Sequence, residues 1–124
     1  MSQVSKNNLP GAIQKDLYDQ FFYILADLKN DQEAEEFLGE ILTKTERTML
    51  IKRLGIALLL VKGYTYRNIR EALKVSFPTI RSVQFWLDHG RGGYKKAVEK
   101  IMAHQEMQSF FQRIDKLIDK VLSR

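Results

Sequence analysis

The stretch TYRNIREALKVSFPTIRSVQFWL, Thr65 to Leu87, decides the fold. Both of its ends carry helical spacing, and its middle sets a β-branched residue, a serine and a proline close together. Ser76 stands where an N-cap belongs, ahead of Phe77-Pro78-Thr79. Pro78 then falls in a first helical turn, where a missing N–H costs little and the fixed φ suits the helix. The proline therefore marks a second beginning. Thr65 caps the first helix in the same way. Ile69 and Leu73 are four apart on one face, Val75 follows the break, and Ile80 and Val83 are three apart on the next helix. Five aliphatic side chains so placed predict a helix-turn-helix over about 65–88, its second helix at 76–88. Lys74 occupies the turn, where a left-handed conformation strains a non-glycine residue by about 1 kcal/mol. Arg70 stands where two helices cross closely.

Outward from this segment the chain reads as all-α. A helix over 11–29 carries Leu17, Phe21, Ile24, Leu25 and Leu28 at helical spacing, widened by Phe22 and Tyr23. Asp31 is expected to cap an acidic second helix running to Ile41. Thr43 or Thr45 opens a third helix, with Glu46 in its first turn. Leu50, Leu54, Ala57, Leu58 and Val61 are expected on its buried side, and Gly63 stops it. HGRGGY, 89–94, is a glycine-rich break. One last helix is expected from about Tyr94 to Leu122, with an apolar stripe wide enough to pack on its own core, a partner chain, or both. Residues 1–10 read as a flexible tail, and 11–124 as a single helical domain for DNA binding and dimerisation.

Charge is unevenly distributed. Residues 1–42 hold three lysines and eight acidic residues, a balance of −5, whereas 43–96 hold twelve basic and three acidic residues, a balance of +9. That basic block suits a polyanion. There is no cysteine and only two histidines, His89 and His104, so thiolate chemistry is excluded and neither a histidine pair at metal-ligand spacing nor a P-loop or nucleophile elbow is present. No enzyme and no metal site are expected. Asp115 and Asp119 read as a helix face pairing with Lys116 and Lys120. No apolar run approaches the ~18 residues of a membrane helix, and a cytoplasmic protein without a membrane partner is the expectation.

The outer face of helix 76–88 suits a major groove, which admits an α-helix. Phe77, Pro78, Thr79, Arg81 and Ser82 are candidates for reading bases. Lys62, Tyr66, Arg67, Lys74 and Arg91 are candidates for phosphates, which set affinity and register. Double-stranded DNA and a second copy of the chain are the expected partners, and the expected function is a sequence-specific transcriptional regulator, a repressor. The competing reading is a helical protein–protein interaction module that uses the acidic helices and the apolar 107–122 stripe.

LTKTERTMLIKRLGIALLLVKGYTYRNIREALKVSFPTIRSV, 42–83, resembles the core of the trp repressor and its relatives, the trp repressor-like (YerC/YecD) family. Leu42-Thr43, Glu46-Arg47, Arg53, Lys62-Gly63, Tyr64 to Arg67 and Thr79-Ile80 carry the resemblance. It implies an all-α, intertwined homodimer and a pocket for an amino-acid corepressor between the third helix and the recognition helix. Arg53 matches one of the two arginines that hold the corepressor. Ser82 stands in the place of the other, and Val83 in that of a glycine that leaves room. Trp86 falls nearby and is expected to plug the space. Arg53, Ser82, Val83 and Trp86 thus outline an effector pocket, but no tryptophan corepressor or other cofactor is expected.

Overall fold

A computed structural model describes residues 8–122, and within them every regular element is an α-helix. The helices are α1 (Gly11–Asp27), α2 (Asp31–Ile41), α3 (Lys44–Lys62), α4 (Tyr66–Leu73), α5 (Phe77–His89), α6 (Gly93–Met102) and α7 (Glu106–Leu122). Residues 1–7 of the expected tail lie outside the described residues. The chain separates into two compact units, Met1–Thr48 and Met49–Arg124, with the boundary inside α3.

In the first unit the cap of α2 is Asn30, not Asp31: its side-chain oxygen accepts from the Glu33 N–H at 2.9 Å, and Asp31 is the first helical residue. Both residue types cap well, so composition alone did not separate them. Thr43 and Glu46 form a reciprocal capping box at the start of α3. The Thr43 N–H donates to Glu46 Oε1 at 2.8 Å and the Glu46 N–H to Thr43 Oγ1 at 3.1 Å. Arg47 donates to the carbonyls of Gly39 at 2.7 Å and Leu42 at 3.1 Å, satisfying the end of α2. Phe21 meets Phe37 with ring centroids 6.1 Å apart. No residue of α1 or α2 is buried, and Leu17, Tyr18, Phe22 and Tyr23 are all more than half exposed.

The second unit holds the core. Ile56, Ala57, Leu58 and Leu59 of α3 pack with Ile69 of α4, Ile80, Val83 and Leu87 of α5, Val98 of α6, and Phe111, Ile114 and Ile118 of α7. Two expectations fail here. Leu50 and Val61 are about half exposed, while Ile56 and Leu59 are fully buried. The apolar residues of α3 run nearly all round the helix from Leu54 to Val61, and a single stripe cannot describe a helix buried on several sides. The last helix is also two. Ala103, His104 and Gln105 form a turn between α6 and α7. Val98 and Ile101 of α6 lie thirteen residues before Phe111 and Ile114 of α7, which is about 220° on a continuous helix. The turn resets the phase, so that both apolar faces reach one core. The α7 stripe belongs to this chain's own core and packs against α4.

Candidate nucleic-acid interface

Two short helices meet across a tight turn. Thr65 accepts from the Asn68 N–H at 3.1 Å to start α4, and Ser76 accepts from the Thr79 N–H at 3.3 Å to start α5. Between them Lys74 adopts φ 56° and ψ 56°, the left-handed region. Its amide still donates to the Arg70 carbonyl at 2.9 Å, so α4 ends satisfied despite the strain. Ile69, Ile80 and Val83 are fully buried, with Leu73 and Val75 packed against them. Arg70 lies over the Phe77 ring, 4.6 Å from its centroid, and links α4 to the first residue of α5. That arginine, with its apolar stem and planar head, is accommodated where the two helices cross closely.

The sequence-selected residues divide into three groups. Pro78 and Arg81 are exposed on the first two turns of α5, with Thr79 and Ser82 half-buried beside them. The Arg81 guanidinium has neither a hydrogen bond nor an ion pair among the described residues. Phe77 is half-buried and packs on the core under Arg70. Of the candidate phosphate contacts, Arg67, Lys74 and Arg91 are exposed, and Tyr66 is half-buried. Lys62 is directed to a different end: its ammonium stands 5.1 Å from the Phe111 ring centroid.

The expected effector pocket does not form as drawn. A cavity of about 230 Å³ does lie beside Arg53, but its walls are Met49, Lys52, Arg53, Lys74, Val75, Ser76 and Thr79. Ser82 is not among them, Val83 is a core residue, and Trp86 does not plug the space. The indole is 53% exposed and meets the Phe85 ring edge-on at 5.4 Å. Phe85 also stacks on His89 at 4.6 Å. On a helix Trp86 lies seven residues beyond Thr79, about 10 Å along the axis, which separates it from the cavity. Lys52, unselected in the sequence, donates to the Lys74 carbonyl at 3.1 Å and so braces the strained turn. Its only sequence signal was membership of the basic block.

Asp115 also has a role the sequence did not suggest. It accepts from the Tyr64 hydroxyl rather than pairing with Lys116. Burial foremost, and then this bond and the negative charge beside it, push the Tyr64 phenol up to about 12. No group of three or more His, Asp or Glu suited to a metal occurs among the described residues. None of the helices is long and apolar enough to cross a membrane.

The profile of the Trp repressor protein family matches residues 16–102. The chain belongs to this family. It is 31% identical over 83 residues to the uncharacterised protein YerC of Bacillus subtilis (strain 168), covering 67% of this chain and 80% of that one. Two solved structures share the fold. A provisionally named Trp repressor of Staphylococcus aureus aligns with a TM-score of 0.63 at 27% identity, over 77% of this chain and 91% of that one. A TrpR-like protein of Eubacterium eligens ATCC 27750 aligns with a TM-score of 0.68 at 27% identity, over 77% of this chain and 99% of that one. The Trp repressor match ends at residue 102, and α7, from Glu106, lies beyond it.

Proposed function

We propose that this chain is a homodimeric, sequence-specific DNA-binding transcriptional repressor of the cytoplasm. The observation that carries the reading is Arg81, an exposed guanidinium without a partner among the described residues, on the first two turns of a helix-turn-helix second helix. The early turns of such a helix reach base edges in the major groove, and an arginine there pairs with both acceptors of guanine. Thr79 and Ser82 stand beside it, and Pro78 faces outward for apolar contact with a thymine methyl. Arg67, Lys74 and Arg91 supply phosphate contacts. Tyr66 contributes its hydroxyl, and Lys62 does so only by leaving the Phe111 ring.

A dimer is supported by the exposed Leu17, Tyr18, Phe22 and Tyr23 of α1 and by the exposed Met49, Leu50 and Ile51 of α3. Dimeric helix-turn-helix proteins read two half-sites about one helical turn apart. Selection of bound duplexes from a random pool tests the reading. Recovery of a two-fold motif, with an affinity that falls steeply in added salt, is the expected result. Recovery of unenriched sequence favours the competing reading, a helical module that binds protein.

A further inference from the structure

We propose that the cavity between α3 and the Lys74 turn is a binding site for a small, compact phosphate-bearing anion that has no amino group. The basic residues Lys52, Arg53 and Lys74 line it with the hydroxyl-bearing Ser76 and Thr79 and the apolar Met49 and Val75, and no carboxylate lines it. Arg53 is half-buried and makes neither a hydrogen bond nor an ion pair among the described residues. A half-buried guanidinium without a partner among the described residues is free to take an acceptor, and its planar fork fits two oxygens of one phosphate. Lys52 spends one of its three protons on the Lys74 carbonyl and keeps two. Ser76 Oγ and Thr79 Oγ1 are 2.9 Å apart, so one hydroxyl proton serves that bond and the other remains to donate. The positive end of the thirteen-residue α5 begins at this same Ser76 and adds to the attraction.

The charge pattern also selects against one class of ligand. An amino acid brings an ammonium group with its carboxylate, and here that group would meet three cations and no acid. A compact polyanion finds donors on Lys52, Arg53, Ser76 and Thr79 and no acid to repel it.

The inference rests on the proposed DNA-binding role in one respect: Lys74 and the start of α5 are parts of that surface, so an anion seated here competes with the duplex. Binding itself is measured without DNA. Calorimetric titration of the full chain with inorganic pyrophosphate, at ionic strength held constant with chloride, should give saturable binding. Arg53→Gln and Lys52→Gln should each weaken it about tenfold or more, as loss of a charged hydrogen bond does. Lys100→Gln, on exposed α6 surface, should leave it unchanged, and L-tryptophan should give no heat. Lys52→Gln gives up one bond to the Lys74 turn and no core packing, so with its fold checked by circular dichroism it reports on the site even if Arg53→Gln fails to fold. Binding unaffected by either variant, or absent, overturns the proposal. Saturable binding in a protein that binds no duplex leaves the site standing and removes the DNA reading. Duplex binding lost in Lys52→Gln without any pyrophosphate binding assigns the cavity to backbone phosphate alone and sinks the proposal.

Discussion

The Tyr64 hydroxyl donates to Asp115 Oδ1 at 2.5 Å, and the Tyr64 ring stacks on Phe111 at 6.2 Å between centroids. The second residue after α3 is thereby held by α7, a helix beyond the Trp repressor match. This contact has a pH signature. The folded phenol is raised from 10.0 to about 12, first by burial and then by Asp115. A group whose folded pKa is raised contributes stability that is complete below its unfolded value. That contribution should therefore be whole below pH 10 and vanish as the pH rises to about 12. Denaturant titrations across this window should show a falling midpoint that Tyr64→Phe flattens. At neutral pH Tyr64→Phe should cost about 1 kcal/mol.

Arg81→Ala should lower discrimination between operator and random duplex by roughly 1–3 kcal/mol if the contact is bidentate. Lys74→Ala should weaken both alike and shorten the salt slope. Equal weakening of every sequence by Arg81→Ala would make Arg81 a phosphate contact. Lys74→Gly separates strain from charge: it should relieve up to about 1 kcal/mol of left-handed strain while still weakening DNA binding.

Phe22→Asp, on the uncovered face of α1, should convert a dimer to monomer without unfolding the second unit, as read by sedimentation and circular dichroism. Ile114→Asp should instead unfold the chain, because Ile114 is only 6% exposed within its own core. A wild-type chain that stays monomeric at micromolar concentration removes the dimer from the proposal.

Gly90 closes α5 against its own last turn. A Cβ there would meet the Trp86 carbonyl oxygen at 2.5 Å, a backbone atom that cannot swing aside. Gly90→Ala should cost on the order of 1–3 kcal/mol, the usual penalty of overpacking. Thermal melts decide it, with Gly55→Ala as a milder comparison, since there the nearest atom is the flexible end of Leu73 at 3.1 Å.

No saturable heat is expected with L-tryptophan, and operator binding should not need it. Ser82→Arg with Val83→Gly is the converse trial. Val83 is fully buried, so the pair carries a folding cost besides any site it creates. Tryptophan binding by the parent chain that also tightens operator binding would overturn this expectation.

The helix-turn-helix was legible because its signals are local. Thr65 and Ser76 cap where their side chains reach the backbone three residues on, and the five aliphatic positions need only helical spacing. Lys74 stood at the one place that demanded a left-handed residue. The turn at Ala103–Gln105 was legible too, in the phase slip between Ile101 and Phe111, but no glycine or proline marks it and the stripe was read as continuous. The buried side of α3 was not legible, since apolar residues on all sides of a helix leave no preferred face. Nor was the cavity: Lys52 and Arg53 are neighbours in sequence, yet only the path of the turn brings Lys74, Ser76 and Thr79 to them. Trp86 illustrates the opposite error, a plausible residue at a spacing too long for the space assigned to it.

Phe111, Ile114 and Ile118 also bear on how the molecule comes apart. Burying three such side chains is worth together about 5–9 kcal/mol, comparable to the whole stability of a small domain. Detaching α7 alone would forfeit nearly all of that. Amide exchange at the centre of α7 should therefore proceed by global rather than local opening, at the same rate as the core of α4. Helix α7 and the family-matched portion of the second unit then form one cooperative body.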